Sequence, residues 1–157
     1  MAKLTLIAAA NRQPRWVVEG YEEYAGRLRG RCRLELKEIR LARRSPSTPA
    51  AQAIADEGER LLAALPSDAH AVALDERGTA FDTPGLAARL EEWLALRQPV
   101  CFVLGGPDGL APAVLDRCRE RWCLSPLTLP HGLARILVAE AIYRAWSLLE
   151  QHPYHRA

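Results

Sequence analysis

The stretches LGGPDGL (residues 104–110) and WCLSPLTLPHGLARILVAEAIYRAWSLLEQHPYHR (residues 122–156) decide how this chain is read. The apolar run from Val100 to Leu104 breaks into Gly105-Gly106-Pro107-Asp108-Gly109, the pattern of a buried strand ending in a tight loop. A second, shorter run ends in Ser125-Pro126-Leu127-Thr128-Leu129-Pro130. A long helix is predicted from near His131 to about Leu149, followed by a short polar tail at residues 151–156. Two strand-to-loop corners, a helix start and a tail rich in proton-carrying side chains make a candidate active site. The remaining chain reads as its scaffold.

Working outward, residues 3–10 are apolar nearly throughout and predict a central first strand. A clear cleavage site is missing where this run stops at Asn11-Arg12, so a strand is preferred to a signal peptide. A helix follows to about Leu28, with Pro14 suited to its first turn. Cys32, Leu34 and Leu36 alternate with Arg33, Glu35 and Lys37, the pattern of a half-buried strand. Residues 48–65 predict a helix with Ile54, Leu61, Leu62 and Leu65 inside and Glu57, Glu59 and Arg60 outside. His70 to Asp75 predicts a third strand ending in a turn at Asp75-Glu76-Arg77-Gly78. Asp82 then caps a helix that begins at Pro84.

Strands alternating with helices at this spacing imply one α/β domain spanning residues 1–157, with a mostly parallel sheet flanked by helices. Ligands in such sheets sit beyond the carboxyl ends of the strands. Three corners qualify: Leu74-Asp75, Gly105-Gly106, and the run Ser125, Pro126, Leu127, Thr128, Leu129, Pro130. The glycine loop lacks the Lys-Ser/Thr of a phosphate-binding P-loop and the spacing of GxGxxG, which removes a nicotinamide-dependent oxidoreductase from the readings. A plain tight turn uses the same glycines. The two prolines of the last corner make a stiff connection, able to hold a base by its edge and faces or simply to lead into the helix.

Composition excludes more than it identifies. No apolar run approaches the roughly 18 residues of a membrane span, and a cytoplasmic protein is expected. Cys32, Cys101, Cys118 and Cys123 lack the paired spacing of a zinc site, so no metal is expected and the thiols read as structural. The net charge is only +2, yet all 21 basic residues except Lys3 and Lys37 are arginine. Clusters at Arg27 to Arg33 and at Arg40, Arg43 and Arg44 suit RNA phosphates and solvated loops alike. The last helix is apolar over too wide a surface for one face of a small domain, which predicts a subunit interface. Glu140 and Arg144 stand in the favourable i,i+4 order for an ion pair, while contact of Arg144 with a substrate phosphate is the sharper alternative. The tail brings His152, Tyr154, His155 and Arg156 together within five residues.

These motifs carry a resemblance. KLTLIAA, DEGERLLAAL, VALDERG, FDTPGLAARLEEW, LGGPDGL, LSPLTLPH and LVAEAIYRAWSLLEQHPYHR span nearly the whole chain, and together they resemble the RlmH family of SPOUT methyltransferases. The resemblance implies a C-terminal trefoil knot, a topology that chain-connection rules alone would reject. It implies a homodimer that uses S-adenosyl-L-methionine to methylate N3 of a pseudouridine in helix 69 of 23S rRNA, on the assembled 70S ribosome. The family's cofactor positions fall on Leu74, Gly106 and the run Ser125 to Pro130, the same three corners. His155 is then the candidate base for the N3 proton and Tyr154 a candidate for stacking or proton transfer. Arg156 or Arg144 would contact a phosphate or the developing anion. The rival reading is a non-catalytic ribosome-binding or assembly factor of the same fold, which would have no reason to keep all three corners.

Overall fold

A computed structural model describes residues 3–156, with side chains through Tyr154. Five strands, β1 (Lys3–Ala9), β2 (Arg33–Ile39), β3 (His70–Ala80), β4 (Val100–Leu104) and β5 (Glu120–Cys123), form one parallel sheet. Its order is β2-β1-β4-β3-β5. The helices are α1 (Arg15–Ala25), α2 (Ala50–Ala64), α3 (Thr83–Ala95), α4 (Pro112–Arg117) and α5 (His131–Leu149), and a single 3-10 turn spans Pro153–Arg156. Among the described residues, no helix is long and apolar enough to cross a membrane.

The alternation of the strands sorts the core into two layers, because successive side chains point to opposite faces. Leu4, Leu6, Leu34, Val72, Phe102 and Trp122 pack against α1, α3 and α5 on one face. Ile7, Ala9, Ala71, Cys101 and Val103 pack against Leu61 of α2 and Val114 of α4 on the other. Trp93 of α3 is 1% exposed, stands edge-on to Phe102 at 5.1 Å between ring centroids, and donates its indole N–H to Glu120 at 2.9 Å. Burial alone would raise the Glu120 carboxyl, but hydrogen bonds from Arg89, Trp93 and His70 outweigh it and hold it down at about 2. This anionic knot ties α3 to the outer edge of the sheet.

The structure differs from the sequence reading in three places. The segment Asp75-Glu76-Arg77-Gly78 is not a turn. It continues β3, which pairs with β5 on both sides of an irregularity between Leu74 and Thr79. The short helix α4 was not anticipated, since six residues are too few to show a helical period. Glu57, expected outside, is 1% exposed. The tail after α5, which the sequence reading left unplaced, is anchored: Tyr154 packs on the core beside Tyr143, with ring centroids 4.6 Å apart. By contrast, α5 occupies the predicted span, and Asp82 caps α3 by accepting from the Gly85 N–H at 2.8 Å.

The two supports of α3 are separable. Trp93→Ala is expected to lower stability by about 3–5 kcal/mol, and Asp82→Ala by about 1 kcal/mol. Urea unfolding midpoints read both, and equal losses would show that the cap contributes as much as the core contact.

Candidate active site

Strand register brings the functional corners to one end of the sheet. Ala8 pairs with Leu104, Ala73 with Val103 and Leu74 with Trp122, so the carboxyl ends of β1, β4, β3 and β5 come level. A cleft of about 1120 Å³ opens there. Leu74, Gly106, Ser125, Leu127, Thr128, Leu129 and Pro130 all line it, so the three corners predicted from sequence meet in one cavity. Of the predicted cofactor positions only Pro126 is outside its lining, held in the same loop. Asn11 after β1 and His131 at the start of α5 also line it, and neither had been singled out.

The loop after β4 is held from behind. Gly106 and Gly109 form an isolated antiparallel bridge, and the Gly109 N–H donates to the Gly106 carbonyl at 3.1 Å. A Cβ on Gly106 would stand 2.8 Å from Glu57 Oε1 and 2.8 Å from Leu41 Cδ2, so only glycine lets this backbone lie against α2. Glu57 accepts from the Ala42 N–H at 3.0 Å and from Arg44 through Nη1 at 2.5 Å and Nη2 at 3.2 Å. Arg44 Nε reaches on to Asp108 Oδ2 at 2.9 Å. One guanidinium therefore clamps the glycine loop, the 40–49 segment and α2 together. The hydrogen bonds that Arg44 donates to Glu57 and Asp108 push its pKa upward, so the clamp keeps its charge. Arg44, read from sequence as serving solvent or RNA, instead faces two carboxylates of its own chain. A charged residue followed by glycine within an amphipathic helix was the only local sign that Glu57 turns inward.

The loop after β5 is stiff for its own reasons. Ser125 Oγ accepts from the Leu127 N–H at 2.9 Å, and the Cys123 thiol lies 3.2 Å from the Ser125 carbonyl. Leu127 is left 72% exposed. At the loop's end, His131 Nε2 lies 2.9 Å from Arg135 Nη2, and the buried Nδ1 has no hydrogen-bond partner of ordinary geometry. Arg135 is 1% exposed and pairs with Glu38 at 3.1 Å. Burial, followed by the adjacent Arg135 charge, brings the His131 imidazole down to about 4, against a weaker upward pull from Gly105 and Glu38. His131 is a neutral group at the cleft wall at physiological pH.

Of the predicted catalytic residues, Arg144 and Tyr154 meet each other away from this cleft. Arg144 pairs with Glu140 at 2.9 Å, and its guanidinium lies 4.9 Å from the Tyr154 ring centre. The Tyr154 hydroxyl donates to Glu140 Oε2 at 2.8 Å. Burial first, then that carboxylate, pushes the phenol upward, so it remains protonated and acts as a donor. The side chains of His155 and Arg156 lie outside the described residues. Cys32 and Cys118 are poor nucleophiles here: burial pushes Cys32 up to about 12 and Cys118 up to about 11.

The depressed His131 pKa has a consequence for stability. In the unfolded chain this imidazole takes up a proton near its ordinary value of about 6.5, whereas the folded protein resists until about 4. Between those values the unfolded state binds more protons, so stability falls as pH falls through that window. His131→Gln should flatten that part of the urea-unfolding profile, and an unchanged slope would remove His131 as its source.

Comparison with known proteins accords with this geometry. A family model described as a predicted SPOUT methyltransferase matches residues 2–155. The chain is 52% identical, over 99% of both chains, to the ribosomal RNA large subunit methyltransferase H of Alkalilimnicola ehrlichii. It is also 52% identical, over 97% of both chains, to the protein of that name from Nitrosococcus oceani. A probable methylase family protein from Haemophilus influenzae shares the fold with a TM-score of 0.54 and 15% identity, over 98% of this chain and 69% of that one. A parallel five-stranded sheet with a cleft at its carboxyl end, matched along almost the entire chain, places this protein in the SPOUT methyltransferase family.

Proposed function

We infer that this chain uses S-adenosyl-L-methionine to methylate N3 of a pseudouridine in the helix 69 hairpin of 23S rRNA, on the assembled ribosome. The observation that carries this reading is the full-length similarity to two ribosomal RNA large subunit methyltransferases H, joined to a cleft built from the three corners the family uses. The rival, a non-catalytic ribosome-binding factor, leaves that intact cleft without a purpose.

The cleft suits the cofactor's chemistry. S-adenosyl-L-methionine is cationic at its sulfonium and amino groups and carries a flat adenine. Leu74, Leu104 and Leu124 supply apolar walls. Asp75 borders the cleft with a buried Oδ2 that accepts no hydrogen bond, its nearest cation being Arg121 Nη1 at 3.6 Å, and so keeps acceptor capacity for a hydroxyl-bearing or cationic ligand. Leu74, Gly106 and Ser125 to Pro130 would hold the cofactor, which when bound supplies an activated methyl group. The protein must set the target base in line with that methyl and remove the N3 proton. His155 takes this proton. Arg156 or Arg144 stabilises negative charge on the base or on a phosphate, and Tyr154, protonated and braced by Glu140, offers a face for stacking.

Arg144 and Tyr154 do not border their own chain's cleft. The proposed site is therefore completed in a homodimer, where the tail of one protomer reaches the cleft of its partner. Large apolar side chains left exposed on the contacting helices α1 and α5 support this: Trp16, Val18, Leu133 and Leu137. The path from β5 at the sheet edge back to α1 supports the trefoil threading that the family resemblance implies.

Three measurements test these assignments. Purified protein, labelled cofactor and ribosomes lacking the modification should place label on N3 of the helix 69 pseudouridine, with free rRNA inert; no label and no cofactor binding by calorimetry would favour the binding-factor reading. His155→Ala should lower kcat by about 10²- to 10⁴-fold, and full turnover in both His155→Ala and Tyr154→Phe would remove the tail from the chemistry. Asp108→Asn should weaken cofactor binding about tenfold, or 1.4 kcal/mol, with little loss of stability, because Glu57 keeps Arg44. Arg44→Ala should cost both. Unchanged cofactor affinity in Asp108→Asn would show that the clamp does not set the loop.

A further inference from the structure

A second concavity, of about 450 Å³, lies beside the cleft on the outer edge of the sheet. It is lined by Arg77, Gly78, Thr79, Arg119, Glu120 and Arg121. It forms where β3 bulges between Leu74 and Thr79, both of which lie opposite Trp122 of β5. A Cβ on Gly78 would lie 2.5 Å from the Arg121 carbonyl carbon and 2.7 Å from the Trp122 nitrogen, so the two backbones touch there. That contact sets Arg77 beside the arginines of β5 and the residue before it. Arg77 lines both cavities and so joins this hollow to the cleft.

The charge in the hollow is lopsided. Glu120 is spent on the opposite side, with hydrogen bonds from Arg89 Nε at 2.7 Å, Trp93 at 2.9 Å and His70 at 2.5 Å. Among the described residues, Asp75 is the one carboxylate ion-paired with any of these arginines, and it pairs with Arg77 and Arg121. It stands 3.6 Å from Arg77 Nε and 3.6 Å from Arg121 Nη1, outside ordinary hydrogen-bond length. Arg77 remains 74% exposed and Arg121 42% exposed. Arg119 is exposed as well, its backbone N–H fixed to the Ala71 carbonyl at 2.8 Å. These three guanidinium groups open next to the cleft with Asp75 as their only ion-pair carboxylate among the described residues, which sets them apart from the buried or clamped arginines. Arg44, Arg89 and Arg135 are each closed by internal carboxylates.

We propose that Arg77, Arg119 and Arg121 form a phosphate-binding track that grips the RNA backbone flanking the target nucleotide. The track rests on the RNA-methyltransferase reading and adds to it where the substrate strand lies. Guanidinium groups take phosphate oxygens bidentately, and contacts to the backbone position a substrate without reading its sequence. The hollow gives a protein of small net charge a local positive field where the substrate must be held.

The test uses the full-length protein and 70S ribosomes lacking the modification, with binding measured by sedimentation across a salt series and methylation measured in parallel. The triple variant Arg77→Gln, Arg119→Gln, Arg121→Gln should raise the ribosome KM at least tenfold, and Arg119→Gln, which lies outside the lining of the cofactor cleft, should raise it with kcat and cofactor affinity unchanged. It should also lessen the slope of log affinity against log salt by about 2 to 3. Arg119→Gln alone, which disturbs no ion pair of Asp75, should lessen the slope by about 0.7 to 0.9. It guards against a misfolded triple variant. The corresponding triple lysine variant should keep most of the salt slope. An unchanged slope and KM in Arg119→Gln and in a folded triple variant would overturn the track. Equal loss with lysine and glutamine would overturn it too, pointing to a protein partner read by shape. Arginine-dependent ribosome binding without methylation by the wild-type protein would sink the enzymatic reading and leave the track standing.

Discussion

The packing of α5 against α1 is the contact on which the functional end of the molecule depends. β5 lies at one edge of the sheet, whereas α1 follows β1 nearer the other edge. To reach α1 after β5, the chain must cross the carboxyl ends of β3 and β4, and residues 124–130 make that crossing. The landing is tight: a Cβ on Gly132 would stand 2.7 Å from Val17 Cγ2. With α5 anchored there and against α3, the crossing segment becomes one wall of the cleft, opposite the glycine loop that ends β4. Pro126 and Pro130 restrict its backbone. A cavity needs walls that do not collapse into it, and here both are held by contacts made elsewhere.

Electrostatics secures the same end from behind. Two fully buried charges, Glu57 and Arg135, flank the cleft, and each is compensated by a partner on another element. Pairs of this kind add little net stability, because desolvation offsets most of the attraction, but removing one partner strands the other. Their effect is positional. Glu57 with Arg44 and Asp108 fixes the glycine loop, and Arg135 with Glu38 and His131 fixes the start of α5. The neutral His131 imidazole follows from its place between burial and a fixed cation. The cleft wall thus carries a polar group without adding a charge that would repel a cationic ligand.

The tail shows the same economy of a small domain. Tyr154 is drawn back onto α5 by Glu140, by the Tyr143 ring and by the Arg144 guanidinium. The last described side chain is thereby anchored, and the two residues assigned to chemistry follow it directly. In a dimer, that anchor would set where they can reach. The arginine hollow at β3 and β5 lies on the sheet edge, away from the exposed apolar side chains of α1 and α5, so RNA binding and dimerisation need not compete for one surface.

Much of the fold was legible in residue order, because period and punctuation are local properties. The apolar run ending at Gly105, the span of α5, the cap at Asp82 and the three ligand corners all follow from patterns a few residues wide. The motifs in LGGPDGL and in the final helix and tail were enough for the family resemblance. What period cannot show is which partner a side chain finds across the fold. Glu57 read as a surface carboxylate until Arg44 and the Ala42 N–H, 13 and 15 residues away in sequence, closed around it. Asp75 to Gly78 read as a turn because its residues favour turns, yet it forms a bulge within β3, with pairing to β5 resuming at Thr79 opposite the same Trp122 that Leu74 faces. The sequence by itself determined the alternating α/β scaffold and the residues that meet at its carboxyl end. Only the tertiary structure decided which charges are buried, where the tail is anchored and how the arginines of β3 and β5 converge, because those depend on contacts between segments far apart in the chain.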